Sequence, residues 1–150
     1  MAYWLMKSEP GEYSIDDLER DGVEPWDGIR NYQVRNMIRD TMQVGDQAIF
    51  YHSSCKVPGA VGTMEIVSEA YPDPTQFDAN DKHFDAKSDP ENPRWLLRDV
   101  KFLSKFERTV TLKELKAHPG LEDFQLNKSG NRLSIFPVSD KQWKIILGLA

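Results

Sequence analysis

A single cysteine, Cys55, excludes an internal disulfide and fits a reducing compartment. The other metal-binding residue types are as sparse. His52, His83 and His118 are the only histidines, they show no finger-like spacing with Cys55, and no Cys-x-x-Cys is present, so no metal site is expected. No apolar run approaches the ~20 residues that a membrane span requires, so no membrane contact is expected either. Met1–Lys7 lacks the charged region and cleavage site of a secretory signal and reads as a first strand, which makes the cytoplasm the expected compartment. Positive charge is in deficit, with 19 Lys and Arg against 24 Asp and Glu and a net charge of −5. That balance argues against broad, salt-driven coating of nucleic acid but leaves room for one basic face. No P-loop, dinucleotide fingerprint or nucleophile elbow occurs, and no cofactor is implied.

What is present suits one domain spanning 1–150, long enough to bury roughly 68–70% of its unfolded surface. Internal repeats and low-complexity tracts are absent. Residues 2–7 are apolar and aromatic, and Ser8-Glu9-Pro10-Gly11 ends them as a turn. Ser14 caps a short helix anchored by Ile15 and Leu18. Gly22, Pro25 and Gly28 make 21–28 a loop. Val34, Met37, Ile38 and Met42 then recur at helical spacing, predicting a helix over 32–42 with Asn31 as its cap. After a turn at Gly45-Asp46, strands are expected at 47–53 and 60–67, the second with a bulge or close approach at Gly59 and Gly62. Residues 72–94, punctuated by four prolines, read as a long flap, functional or mobile, with a short extended piece near His83-Phe84. A strand over 95–106 follows. Thr111 to Glu114 forms a capping box for a helix stopped by Pro119-Gly120. The last elements are a strand at 132–138 and a helix capped by Ser139 that turns Trp143, Ile146 and Leu147 inward. The mixture is α+β, a curled or barrel-like sheet of mixed strands with surrounding short helices.

One stretch concentrates chemistry. Trp26-Asp27-Gly28-Ile29-Arg30-Asn31-Tyr32 sets an indole, a carboxylate, a flexible glycine, a guanidinium and an amide before the positive end of a helix. Trp26 reads equally well as a core aromatic, and Arg30 as a solvated cap. Further aromatic and polar residues recur at strand ends: Lys7-Ser8, Tyr51-His52-Ser53, Pro58-Gly59 and Arg132-Leu133-Ser134. A concave site lined this way suits a small ligand, and it is also how an extruded base is read. His52 with Cys55 invites a thiolate–imidazole reading, but no orienting third group is specified, and a small half-buried cysteine is the commoner case.

These residues resemble the opening of the EVE domain: Tyr3-Trp4-Leu5-Met6-Lys7-Ser8-Glu9-Pro10, then Trp26 to Gln33. Tyr51-His52-Ser53, Cys55, Pro58-Gly59, Gly62, Tyr71-Pro72-Asp73, Pro93-Arg94-Trp95 and Arg132 to Val138 continue the similarity in order along nearly the whole chain. The resemblance implies a PUA-like pseudo-barrel related to the YTH domains that read methylated adenine. It also implies a noncatalytic reader of a modified base, methylated or hydroxymethylated, in DNA or RNA. The Lys-Ser pair and following tryptophan of YTH domains are met here by Lys7, Ser8 and Trp26.

On this reading Trp26 stacks on the base. Lys7, Ser8, Asp27, Arg30, Asn31, Tyr32, His52, Ser53, Pro58 and Gly59 complete the base site, while Arg30, Lys56 and Arg132 face phosphates. Arg35 and Arg39 suit a solvated helix face. The expected partner is DNA or RNA carrying the modified base, bound by a monomer. The other function carried is a small-molecule or nucleotide-binding enzyme of the same fold, using His52, Cys55 or Asp27.

Overall fold

Leu5 follows Trp4, and Ile49 follows Ala48, with no polar residue between; only a strand covered on both faces accepts such a run. The computed structural model, which describes residues 1–128 and 131–150, places both runs at the centre of the fold. The elements in order are β1 (Tyr3–Ser8), α1 (Ile15–Asp21), β2 (Val23–Pro25), α2 (Tyr32–Asp40), β3 (Gln47–His52) and β4 (Gly59–Ile66). They continue with β5 (Tyr71–Pro72), β6 (Leu96–Leu97), β7 (Asp99–Thr111), α3 (Leu112–Ala117), β8 (Ile135–Val138) and α4 (Asp140–Leu149). Single 3₁₀ turns lie at Pro74–Phe77 and Gln125–Asn127.

Six strands form one curled sheet in the order β2-β7-β4-β3-β1-β8, and β5 pairs separately with β6. Among the described residues only β1 and β3 run parallel, and the connection between them carries α1 and α2 over one face, as a parallel crossover requires. Trp4, Met6, Ala48 and Phe50 share that face with Val34 and Ile38 of α2. Leu5, Ile49 and Tyr51 point the other way, into a second core with Leu115 of α3 and Trp143 and Ile146 of α4. The sheet is thus a wall between two apolar clusters.

Local signals set the helix starts. Ser14 with Asp17, Thr111 with Glu114, and Ser139 with Gln142 form reciprocal capping boxes, and the Asn31 side chain accepts from Val34 N at 3.0 Å. At Gly62 a Cβ would stand 2.3 Å from the Ser104 carbonyl oxygen, where the β4–β7 register shifts.

Several expectations are corrected. Val23–Pro25 is not loop but an edge strand on β7, and Pro25 at its end is where a missing N–H costs no ladder bond. The strand expected at 95–106 is broken at Arg98, which turns inward and donates to the Ile38 carbonyl at 2.7 Å; pairing then runs on to Thr111. The final strand begins at Ile135, leaving Arg132 to Ser134 as connecting chain. Leu147 is 36% exposed rather than packed inward. No strand forms at His83-Phe84, and the flap is knitted by polar side chains instead. Gln76, fully buried, donates to the Asp73 and Trp95 carbonyls and accepts from Ser88 and Trp95 N. Trp95 Nε1 donates to Asp85 at 2.8 Å. Among the described residues no helix is long and apolar enough to cross a membrane.

Candidate functional site

Because β1 and β3 are parallel, both end at one rim, with Ser8 opposite His52. Four pieces of chain converge beside that rim: the loop after β2, Ser53 after β3, the approach to β8, and the flap at Lys82 and His83. Between them lies a hollow of about 540 Å³, within the ~300–1,000 Å³ typical of small-ligand sites. Lys7, Ser8, Trp26, Asp27, Ser53 and Arg132 all line it.

Trp26 is both wall and core. Its ring is 8% exposed and meets Phe50 edge-on, with centroids 5.4 Å apart, yet an open hollow lies beside it. Its indole N–H has no partner among the described residues, unlike those of Trp4 and Trp95. Asp27 stands at the rim. Burial of its carboxyl, then the neighbouring Asp73 charge, pushes it above the ordinary carboxylate range, and it accepts no hydrogen bond from the described residues. Lys7 is half-buried, and desolvation lowers its ammonium below the usual lysine range. Ser8 Oγ donates to the Tyr13 carbonyl at 2.6 Å, so toward the hollow its oxygen is an acceptor. Lys7, Lys82 and Arg132 are set against Glu9, Glu12, Glu24 and Asp27, a mixed lining that does not trap anions.

The flap forms the far wall through a backbone device. Gly28 has φ +83°, and a Cβ there would stand 2.7 Å from His83 Nε2, so only glycine lets the imidazole close against this loop. Gly28 N donates to Asp73 Oδ2 at 2.8 Å. Arg30 then binds the flap from behind: it donates to the His83 carbonyl, Thr75 Oγ1 and Asp73 Oδ2. Burial pushes the Asp73 carboxyl up, but donors from Thr75, Gly28 and Arg30 outweigh it and hold it below the usual range. An ion pair between Lys82 and Glu12 ties the flap across the mouth.

The remaining expected site residues lie elsewhere. Arg30 is spent on the flap, and Asn31 caps α2. Tyr32, 50% exposed, packs at a 31° tilt against Trp95, with ring centroids 4.7 Å apart, outside the hollow, and the Arg35 guanidinium lies 4.9 Å from its ring. Arg39 pairs with Asp40. His52 Nε2 accepts from Ile15 N at 3.1 Å, and burial lowers its pKa. With that nitrogen capping α1, no His52–Cys55 hydrogen bond forms among the described residues. Lys56 and Pro58 line a second groove of about 530 Å³ with Val57, Thr111, Leu112, Lys113 and Lys116. Gly59 is a ladder residue opposite Thr111. No group of three or more His, Cys, Asp or Glu among the described residues is placed to hold a metal.

Sequence reasoning passed over His83 as a wall and Asp73 as the hub behind it. Asp73-Pro74 is a turn-initiating dipeptide, and the Asp73 side chain does accept from Thr75 N at 2.8 Å. Nothing local to it points to Gly28 or Arg30, more than forty residues upstream.

Comparison with known proteins gives a consistent answer. The EVE domain family model matches residues 2–149. The chain is 42% identical over 166 residues to thymocyte nuclear protein 1 of Homo sapiens, spanning 99% of this chain and 73% of that protein. Among solved structures, a Pseudomonas syringae protein superposes with a TM-score of 0.95 at 49% identity, covering 99% of each chain. Human THYN1 protein, in complex with 5-methylcytosine-containing DNA, gives a TM-score of 0.94 at 40% identity, covering 99% of this chain and 97% of that one.

Proposed function

The chain belongs to the EVE domain family, and from that premise we propose that it is a noncatalytic reader of methylated DNA whose hollow receives an extruded 5-methylcytosine. The carrying observation is the Trp26 wall with two charged groups beside it, the Asp27 carboxylate and the Lys7 ammonium, neither of them hydrogen-bonded by the described residues. A cytosine edge presents an amino donor beside ring-nitrogen and carbonyl acceptors. The carboxylate suits the amino group, and the ammonium suits the acceptors. Both are partly desolvated, so each gains from a partner supplied by the ligand.

Extruding a base costs a few kcal/mol, and stacking on one aromatic returns about 1–3 kcal/mol. The 5-methyl group adds about 0.8 kcal/mol if fully buried, which corresponds to roughly a fourfold preference. Edge reading selects cytosine, and the methyl group adds a modest bias. The mixed charge of the lining agrees, since it favours a neutral heterocycle over a bare phosphate.

Titrating the protein with short DNA duplexes that differ only in one central cytosine, methylated or not, tests this by calorimetry. A preference of about fourfold for the methylated duplex is expected. Equal affinity for the two overturns the reading. The same pair in RNA separates the polymers.

A further inference from the structure

The second groove has a composition unlike the hollow. Val57, Pro58 and Leu112 form an apolar floor, and Lys56, Lys113 and Lys116 stand around it with no acid in the lining. The chain from Gln47 to Met64 carries no Asp or Glu, so β3, the loop after it and β4 as far as Met64 bring no negative charge to the groove. The nearest carboxylate on α3, Glu114, is committed to Arg108 and to the Thr111 cap. None of the three lysines forms an ion pair among the described residues, and all three are exposed. In a chain of net charge −5, three such lysines around one apolar floor are a local reversal of sign.

The groove is joined to the hollow by a short bridge. Ser53 lines the hollow and Lys56 the groove, and three residues span at most about 11 Å. A duplex strand advances about 3.4 Å per nucleotide, so a phosphate on the groove lies within about three nucleotides of a base in the hollow. Apolar sugar faces and anionic phosphates match a floor of Val57, Pro58 and Leu112 ringed by ammonium groups. We infer that the Lys56–Lys113–Lys116 groove holds the backbone of the same DNA strand whose base enters the hollow.

That role depends on the hollow being a base pocket, and the test keeps the two apart. Wild type and a Lys56→Ala/Lys113→Ala/Lys116→Ala variant are titrated with the methylated and unmethylated duplexes at several salt concentrations. Each phosphate contact contributes a slope of about −0.9 in log affinity against log salt. The variant is expected to lose nearly 1 from the slope per lysine, equally for both duplexes, while the methylated-to-unmethylated ratio stays at its wild-type value. Lys113→Glu/Lys116→Glu weakens both further. Unchanged slope and affinity in both variants overturn the groove assignment and leave its lysines to another partner, an acidic protein segment for example. A wild type without methyl preference, but with lysine-dependent salt sensitivity, overturns the base pocket and supports the groove. A wild type that binds neither duplex overturns both.

Discussion

The hollow beside Trp26 sets four carboxylates against three cations around a nearly buried indole; the groove beside Leu112 has three lysines, no acid and an apolar floor. Both sit at the rim where β3 ends, joined by the loop from Ser53 to Pro58. Near-neutral lining suits a base, which carries edges and a face but no net charge. Uncompensated cations suit phosphates, which carry charge but no sequence information. The two regions differ in support as well. The hollow is braced by the buried core and by the Arg30–Asp73 hub, whereas the groove's lysines stand on the surface. Substitutions at the hollow therefore change stability and selectivity together, and those at the groove lower affinity and salt sensitivity with selectivity unchanged.

The largest expected effect is at Trp26. Trp26→Ala removes a buried ring packed on Phe50 and is expected to cost about 3–5 kcal/mol in denaturant unfolding, with loss of the methyl preference. Trp26→Phe separates the two roles, since a phenyl ring keeps most of the packing while offering a smaller stacking face. It should remain folded and bind methylated duplex more weakly. A Trp26→Phe protein with wild-type affinity and preference would erase the contrast between hollow and groove.

Next in size is Arg30→Ala. It leaves the buried Asp73 carboxylate without its ion-pair partner, a change that costs about 3 kcal/mol at the low end of such cases, because Gly28 N and Thr75 still donate. The flap should loosen before the sheet does. Amide exchange over 73–95 should rise several-fold while β1 and β3 stay protected, and base affinity should fall with the flap wall. Uniform exchange across the chain would mean that the hub is no more than part of the general core.

How far the sequence reveals this arrangement depends on the range of each interaction. Helix caps at Ser14, Asn31, Thr111 and Ser139 are legible because donor and acceptor lie three residues apart. The central strands are legible from their unbroken apolar runs. The convergence of Lys7, Ser8, Trp26, Asp27, Ser53 and Arg132 on one hollow follows the family resemblance; composition and periodicity alone do not place them together. The flap is the opposite case. Its prolines and aspartates mark it as irregular, but its order comes from Arg30, Asp73, Gln76 and Trp95, whose bonds span up to 53 residues. Arg30 and His52 show the limit: their residue types suit a binding site, and long-range bonds to His83 O and Ile15 N take them into structure.

The smallest effect sharpens the comparison most, because it bears on charge alone. The Asp27 carboxyl is raised above the ordinary Asp range by burial and by Asp73, so the folded state holds its proton more tightly than the unfolded chain does. Any stability gained from that proton is present below about pH 4, the unfolded value, and is lost as pH rises through the folded value. At neutral pH the ionised group therefore opposes folding. Asp27→Asn should melt slightly higher than wild type at pH 7, and the difference should vanish as the pH drops below the ordinary Asp range. Binding should move the other way. An amide oxygen replaces a charged acceptor for the cytosine amino group, which weakens affinity by about 1 kcal/mol, roughly fivefold, with no change in salt slope. A higher melting temperature together with weaker base binding would mark Asp27 as kept for recognition at a cost in stability. A salt slope that moved with Asp27→Asn would place phosphate in the hollow and remove the division between the two sites.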